Sequence, residues 1–174
     1  IVTNLSNQIA TLTQEEKDYQ ILLKRLSPTE GLIAEGLLGF IKNFVDQMNS
    51  LIKRVWTYRL VLLTCDLVEG EAIDLDYKFP IEVESREAPI HDISKGSSGM
   101  MEIINLAYKL TAVQYLGMQD HPLYLDEFGK PFDVTHKSTA INIIKTLVEQ
   151  KTFPQVFLIS HDFHQYGGLS NCDI

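Results

Sequence analysis

The first 26 residues carry apolar side chains in steps of three and four within a polar segment. This spacing predicts a helix with a narrow a/d seam, which is typical of a coiled coil. The alternative is a terminal amphipathic helix that packs on the following domain. We therefore predict a coiled-coil segment at residues 1–26 and a separate lobe at residues 27–174. The seam consists of Val2, Leu5, Ile9, Leu12, Glu16, Tyr19, Leu23 and Leu26, with Glu16 as its charged break.

A wider apolar stripe follows and predicts a second helix that ends near Val55. Ser27, Pro28 and Glu30 fit the N-cap, N1 and N3 positions of a capping box, which predicts a helix start directly after Ser27. Because the stripe is wide, we expect this helix to belong to the hydrophobic core. Its members are Leu32, Ile33, Leu37, Phe40, Ile41, Phe44, Val45, Met48, Leu51, Ile52 and Val55.

From residue 58 onward the pattern changes to a period of two. Residues 58–63 predict a strand, residues 69–71 a turn, and residues 73–79 a half-buried strand. We therefore expect a small antiparallel sheet in this region. Its alternating acidic residues fit a solvated strand face better than a metal site.

From residue 93 the pattern is loop, helix, strand, helix and strand. The predicted helices lie at 100–116 and about 135–150, and the predicted strands at 123–125 and 156–159. Strands that are joined through a helix by short connections predict a parallel sheet. The expected fold class is therefore α/β, with a small antiparallel β region and an N-terminal coiled-coil helix. Ligands of such sheets bind at the carboxyl ends of the strands, where the pairs Asp126-Glu127 and Ser160-His161 lie.

Composition restricts the classes of protein that fit the chain. A net charge of -8 and 15 scattered Lys and Arg residues weigh against a free-standing nucleic-acid binder. No apolar run approaches the roughly 18 residues of a membrane span, and the cysteines Cys65 and Cys172 form no CxxC pair. We therefore expect a reducing, cytoplasmic setting. The chain begins without Met or a signal peptide, which suggests an internal piece of a longer protein.

Adjacent carboxylates at a strand end can act as a metal ligand and as a general base. Because successive side chains of a strand alternate in direction, one of Asp126 and Glu127 can reach a divalent cation while the other faces a reactive water. The loop at residues 95–99 leaves backbone N–H groups at a helix N-terminus, which can bind an anion. The simpler alternatives are a plain N-cap for this loop and a structural role for His161.

In this order, the pieces resemble the motifs of ABC-type ATPases. Residues 96–100 resemble the signature loop, 123–127 the Walker B strand with its catalytic glutamate, 130–133 the D-loop and 158–162 the H-loop. Together with the coiled coil and the long helix, they resemble the C-terminal half of an SMC-like ATPase head of the SbcC type. That type is the ATPase subunit of the double-strand-break repair nuclease. Ser98 and Met100 depart from the Leu-Ser-Gly-Gly-Gln signature.

The resemblance implies a P-loop NTPase core half that acts on ATP with Mg²⁺. Asp126 would hold the Mg²⁺, Glu127 would activate the attacking water and His161 would contact the γ-phosphate. The signature loop would bind the γ-phosphate of the ATP held by the opposite protomer, and Asp133 would couple the two sites. The signature residues that carry this role are Ser97, Ser98 and Gly99.

The resemblance also implies partners. These are a homodimer of heads joined by ATP, a nuclease subunit of the metallophosphoesterase type, and double-stranded DNA at a nucleoid-associated location, with no membrane. Gly31 and Gly36 have Walker A spacing, but Leu37 and Leu38 stand where Lys and Ser or Thr are required. We therefore expect ATP hydrolysis to need the N-terminal Walker A lobe of the same protein. The alternatives are a chromosome-organising SMC protein, the nucleotide-binding domain of a transporter, and an inactive coiled-coil dimerisation module.

Overall fold

A computed structural model describes residues 2–29, 31–64 and 79–160 of the chain. Within them the structure is mixed, with helices and two small sheets, and is compatible with an α/β class. Among these residues, no helix has the length and apolar character that crossing a membrane requires. The elements are α1 (Val2–Arg25), α2 (Leu32–Val55), β1 (Leu60–Leu62), β2 (Ile81–Val83), a 3-10 helix (Ile93–Lys95), α3 (Ser98–Tyr115), β3 (Leu123–Asp126), α4 (Val134–Glu149) and β4 (Val156–Ile159).

The first predicted helix is confirmed as α1. None of residues 2–25 is buried, and the apolar stripe is exposed along its length, from Val2 at 77% to Leu23 at 73%. An exposed stripe of this kind is a surface that a second helix could cover. The coiled coil itself stays a prediction.

The predicted start of the second helix is wrong. Helix α2 begins at Leu32, and residues 27–29 form a turn instead of its first helical turn. The Ser27 hydroxyl accepts a hydrogen bond from the Thr29 N–H at 3.3 Å and lies 3.2 Å from the Thr29 hydroxyl. Ser27 therefore stabilises a local turn rather than capping a helix that starts at Pro28. The predicted end at Val55 is confirmed.

The expectation that all of α2 belongs to the core is only partly correct. In its first half Leu32, Ile33 and Phe40 are each about half exposed, whereas Ala34 is fully buried. From Val45 onward the stripe is buried at Val45, Met48, Ile52 and Val55 and half-buried at Leu51. A wide stripe therefore identified the helix correctly but overstated how much of it is covered.

The chain divides into two compact units. The first comprises residues 1–45 and 64–79, and the second comprises residues 46–63 and 80–174. The first unit contains α1 and the beginning of α2. The second contains the end of α2, both sheets, α3 and α4, and with them every described candidate site residue.

An antiparallel sheet is confirmed in this region, with β1 paired to β2 in the register Leu60 to Val83 and Leu62 to Ile81. The paired strand β2 lies at residues 81–83, directly after the predicted strand at 73–79, and was not itself predicted. The side chain of Asn49 pairs with the backbone of Leu62, since its Oδ1 accepts from the N–H at 2.8 Å and its Nδ2 donates to the carbonyl at 2.9 Å. The end of α2 is thereby fixed to the strand. The predicted turn at 69–71 and most of the predicted strand at 73–79 lie outside the described residues.

The predicted parallel pair is confirmed as β3 and β4, joined through α4. Leu123 faces Val156 and Asp126 faces Ile159 in the ladder. The buried face of β3 carries Leu123 and Leu125. Helices α3 and α4 add further buried apolar side chains to the core of this unit, namely Ile103, Ile104, Leu106, Ala107, Leu110, Ala140, Ile141, Ile143, Ile144 and Leu147.

Candidate functional site

The two predicted carboxylates lie at the carboxyl end of the parallel sheet. Asp126 is the last residue of β3 and is exposed, and the Glu127 N–H donates to the Ile159 carbonyl at 2.8 Å. Ser160 follows directly on β4, so both strand ends open at one edge. The structure therefore brings Asp126, Glu127 and Ser160 together as predicted. His161 lies outside the described residues.

Glu127 has an unusual backbone conformation, with φ at +46°. The left-handed region costs a residue with a side chain roughly 1–2 kcal/mol. The turn that follows imposes this geometry, because Lys130 N–H donates to the Glu127 carbonyl at 3.3 Å and Gly129 has φ at +74°. Lys130 Nζ also lies 3.0 Å from Glu127 Oε2. Strained residues of this kind cluster at functional sites, where their position is maintained at a cost in stability.

Asp133 caps helix α4. Its Oδ1 accepts from the His136 N–H at 2.9 Å, and its Oδ2 lies 2.7 Å from His136 Nδ1. The backbone hydrogen bond from His136, and then the side-chain hydrogen bond, hold the pKa of Asp133 below its ordinary value of 3.8. An ionised carboxylate at this place also interacts favourably with the helix dipole. Asp133 thus has a local structural role, whatever it contacts beyond this chain.

His136 extends this cap to a distant segment. The residue is buried at 2% exposure, and its Nε2 lies 2.9 Å from Thr57 Oγ1 and 3.3 Å from the Thr57 N–H that donates to it. Because Nε2 accepts, the ring proton of the neutral imidazole belongs on Nδ1, where it is donated to Asp133. The sequence interpretation missed both His136 and Thr57. The Asp-x-x-His spacing at a helix start was a signal for the first contact, and nothing in the sequence signals the second.

The loop that resembles the ABC signature opens α3 as expected. The Ser97 hydroxyl accepts from the Met100 N–H at 3.3 Å and serves as the N-cap, while Ser97 and Ser98 are exposed. Gly99 is buried, and a Cβ added there would lie 3.2 Å from Trp56 Cη2 and 3.4 Å from the Pro131 carbonyl. Close packing against these groups therefore favours glycine at this position. Ser97 caps α3, and both Ser97 and Ser98 are exposed to solvent. The N-cap role is therefore compatible with anion binding at the same helix start.

Trp56 lies between two loops, the one at Ser97–Gly99 that opens α3 and the one at residues 129–133 that precedes α4. Its indole stacks on the His136 ring, with centroids 4.1 Å apart and planes at 22°, and its centroid lies 6.2 Å from that of Phe132. The indole N–H is buried and finds no hydrogen-bond partner among the described residues, so stacking and packing hold the ring. A second link joins the loops, because the Gly129 N–H donates to Glu102 Oε1 of α3 at 3.3 Å.

The described site residues supply single catalytic groups but not a complete metal site. In the described ranges, no group of three or more His, Cys, Asp and Glu side chains is placed to hold a metal ion. Asp126 can contribute a single exposed carboxylate, which fits Mg²⁺ because that ion is usually bound by one or two carboxylates together with substrate phosphates. Glu127 can contribute a base and the α3 N-terminus can contribute N–H donors.

No known protein family matches the chain, and no curated protein matches it at a significant level. The assignment of function therefore rests on the residues and their geometry.

Proposed function

We propose that this chain is the C-terminal half of the ATP-binding and ATP-hydrolysing head of an SMC-like DNA repair ATPase of the SbcC type. Such a head dimerises on ATP and regulates a partner nuclease during DNA end processing. The observation that supports this most is the parallel pair β3–β4 with Asp126, Glu127 and Ser160 at one edge. Ligands of α/β sheets bind at that edge.

The exposure of the parallel sheet supports the need for a second lobe. Tyr124 is 62% exposed, Phe157 is 44% exposed, and their rings stack with centroids 5.0 Å apart. Parallel sheets are almost always covered on both faces. An N-terminal Walker A lobe that packs here would cover this face and would bring the phosphate-binding lysine that the chain lacks.

The residue roles in this proposal are those that the resemblance to ABC-type ATPases implies. Asp126 would hold the Mg²⁺ that neutralises charge on the phosphates, and Glu127 would take a proton from the attacking water. Ser97, Ser98 and Gly99 would present N–H and hydroxyl donors to the γ-phosphate of the ATP on the opposite protomer. Asp133, exposed at the start of α4, would cross the dimer interface. His161 would contact the γ-phosphate.

The exposed stripe of α1 supports the coiled-coil part of the proposal. In proteins of this type the coiled coil tethers double-stranded DNA, and a metallophosphoesterase-type nuclease docks near its base. Both partners follow from the resemblance to the SbcC type.

The decisive experiment is ATP turnover by this chain assembled with its Walker A lobe. We expect Glu127→Gln to lower kcat at least about 100-fold, because the attacking water would lose its base. Glu149→Gln is a matched control, since Glu149 is an exposed carboxylate that lies 3.8 Å from Lys145 and far along α4 from the strand end. Near-normal turnover in Glu127→Gln would contradict the proposal, and so would turnover by the 174-residue chain alone well above a Glu127→Gln chain.

A further inference from the structure

We propose that His136 is a positioning residue, which fixes the Asp133 carboxylate and ties it through Thr57 to the end of helix α2. What Asp133 does once it is fixed rests on the proposed function. The fixing itself rests on the contacts of the described residues.

Each polar atom of the His136 ring has a partner. Nδ1 lies 2.7 Å from Asp133 Oδ2, and Nε2 lies 2.9 Å from the Thr57 hydroxyl and 3.3 Å from the Thr57 N–H. Because the N–H can only donate, Nε2 accepts and Nδ1 donates, which sets one neutral tautomer. The bridge joins residues that are 79 positions apart in the chain. It therefore fixes the start of α4 to the segment that follows α2.

The order carboxylate, imidazole, hydroxyl also occurs in hydrolases, but the surroundings exclude that use here. The His136 side chain is only 3% exposed, and Trp56 covers one face of its ring. Nε2 accepts from the Thr57 N–H and also contacts the Thr57 hydroxyl, so Thr57 already occupies it. The ring is therefore placed to orient a neighbour rather than to carry a proton to a substrate.

Trp56 links the Thr57–His136–Asp133 bridge to the loop at Ser97–Gly99. Its indole stacks on the His136 ring, and its Cη2 lies 3.2 Å from the place that a Cβ at position 99 would occupy, which is a tight contact. Trp56 and Thr57 directly follow the last residue of α2. A shift of this helix end would therefore displace the Asp133 turn and the loop at Ser97–Gly99 together. Helix α2 would set both loops that face the opposite protomer.

The first test uses NMR on the chain and needs no nucleotide. We expect the ring ¹⁵N shifts of His136 to show the Nδ1–H tautomer. His136→Phe keeps a ring against Trp56 and the backbone N–H bond to Asp133 Oδ1, but it removes the side-chain bond to Oδ2. The pKa of Asp133 should therefore rise part of the way towards 3.8. Thr139→Val is a control, because the Thr139 hydroxyl donates only to the Thr135 carbonyl within α4. An Nε2–H tautomer, or an unchanged Asp133 pKa in His136→Phe, would overturn the proposal.

The second test uses the assembled two-lobe ATPase. We expect His136→Phe to lower kcat by up to about 100-fold, because Asp133 would lose its fixed position, with the KM for ATP changed less than about twofold. Thr57→Val removes one hydroxyl and should lower kcat by a smaller factor, while Thr57→Ser should restore it. The Thr57 pair keeps the test decisive if His136→Phe fails to fold.

The outcomes separate the two proposals. If the wild-type assembly hydrolyses ATP and both His136→Phe and Thr57→Val keep normal kcat, the positioning role is wrong and the ATPase assignment stands. If the wild-type assembly does not hydrolyse ATP, the function assignment is wrong, and the NMR experiment still decides whether His136 fixes Asp133.

Discussion

In the described part of the chain the two sheets have the same number of strands, but only the parallel sheet contains a strand without a buried residue, β4. In the antiparallel sheet the inward residues Leu60, Leu62 and Ile81 are all at most 2% exposed, and Asn49 pairs with the β1 backbone. In the parallel sheet Phe157 and Ile159 of β4 are 44% and 56% exposed. An antiparallel sheet can leave one face in water, whereas a parallel sheet rarely does. The difference indicates that the candidate site lies on the less covered of the two sheets.

The largest expected effect separates the two faces of β3. Leu125→Ala should lower the free energy of unfolding by about 2–5 kcal/mol, because it leaves a cavity at a side chain that is 2% exposed. Tyr124→Ala, on the open face one residue earlier, should cost about 1 kcal/mol or less, since it loses only the stacking on Phe157. Urea unfolding of both variants measures the contrast. Equal losses would mean that both faces of β3 are covered.

The next effect concerns the antiparallel sheet. Asn49→Ala leaves the N–H and carbonyl of buried Leu62 without their side-chain partner, so we expect a loss of about 1–3 kcal/mol. Asn105→Ala is the matched control, because Asn105 is an exposed asparagine on α3. Urea midpoints report both values. A loss no larger than that of Asn105→Ala would show that the Asn49 pairing does not stabilise the sheet.

A smaller effect, of opposite sign, is expected at Glu127. Glycine adopts a φ of +46° without strain, so Glu127→Gly should raise the free energy of unfolding by up to about 1 kcal/mol after the added flexibility of the unfolded chain is subtracted. Glu127→Gln keeps the strain and should show no such gain. Thermal unfolding of the two variants distinguishes them. If Glu127→Gly destabilises the chain, the positive φ of Glu127 does not lower the stability of the wild-type protein.

The smallest effect is a pH dependence at Asp133. Its folded-state pKa is lowered, so the carboxylate contributes stability that is present above its ordinary value of 3.8 and is lost as the pH falls through the lower folded value. Wild-type stability should therefore fall more steeply below about pH 4 than that of Asp133→Asn, which retains one acceptor for the His136 N–H. Urea midpoints against pH provide the measurement. Parallel curves would show that the His136 bonds do not favour ionisation.

Much of the fold could be predicted from periodicity. The bounds of β4 agree with the predicted strand, and the parallel pairing follows from a strand, a helix and a strand with short connections. The start of α2 could not be predicted correctly, because the Ser27 hydroxyl can either cap a helix or accept from the Thr29 N–H in a turn. Both choices satisfy the same hydroxyl, so the local sequence does not decide between them. The exposure of the first half of α2 depends on packing, which periodicity does not encode.

The candidate site could be predicted where its residues are adjacent in the chain and not where they meet through folding. Asp126 and Glu127 follow an apolar strand, so their position at the sheet edge was predictable. The contact between Thr57 and His136 joins segments with no common periodic pattern. The positive φ of Glu127 arises from the turn after it, and a glutamate gives no sign of that conformation.

The position of Trp56 has a practical consequence. It is the single tryptophan of the chain, and it contacts His136 on one side and the region of Gly99 on the other. Its intrinsic fluorescence therefore reports on the junction of the two loops alone, without a label and without contributions from other indoles. Adding nucleotide or a partner lobe and recording the emission would show directly when that junction rearranges.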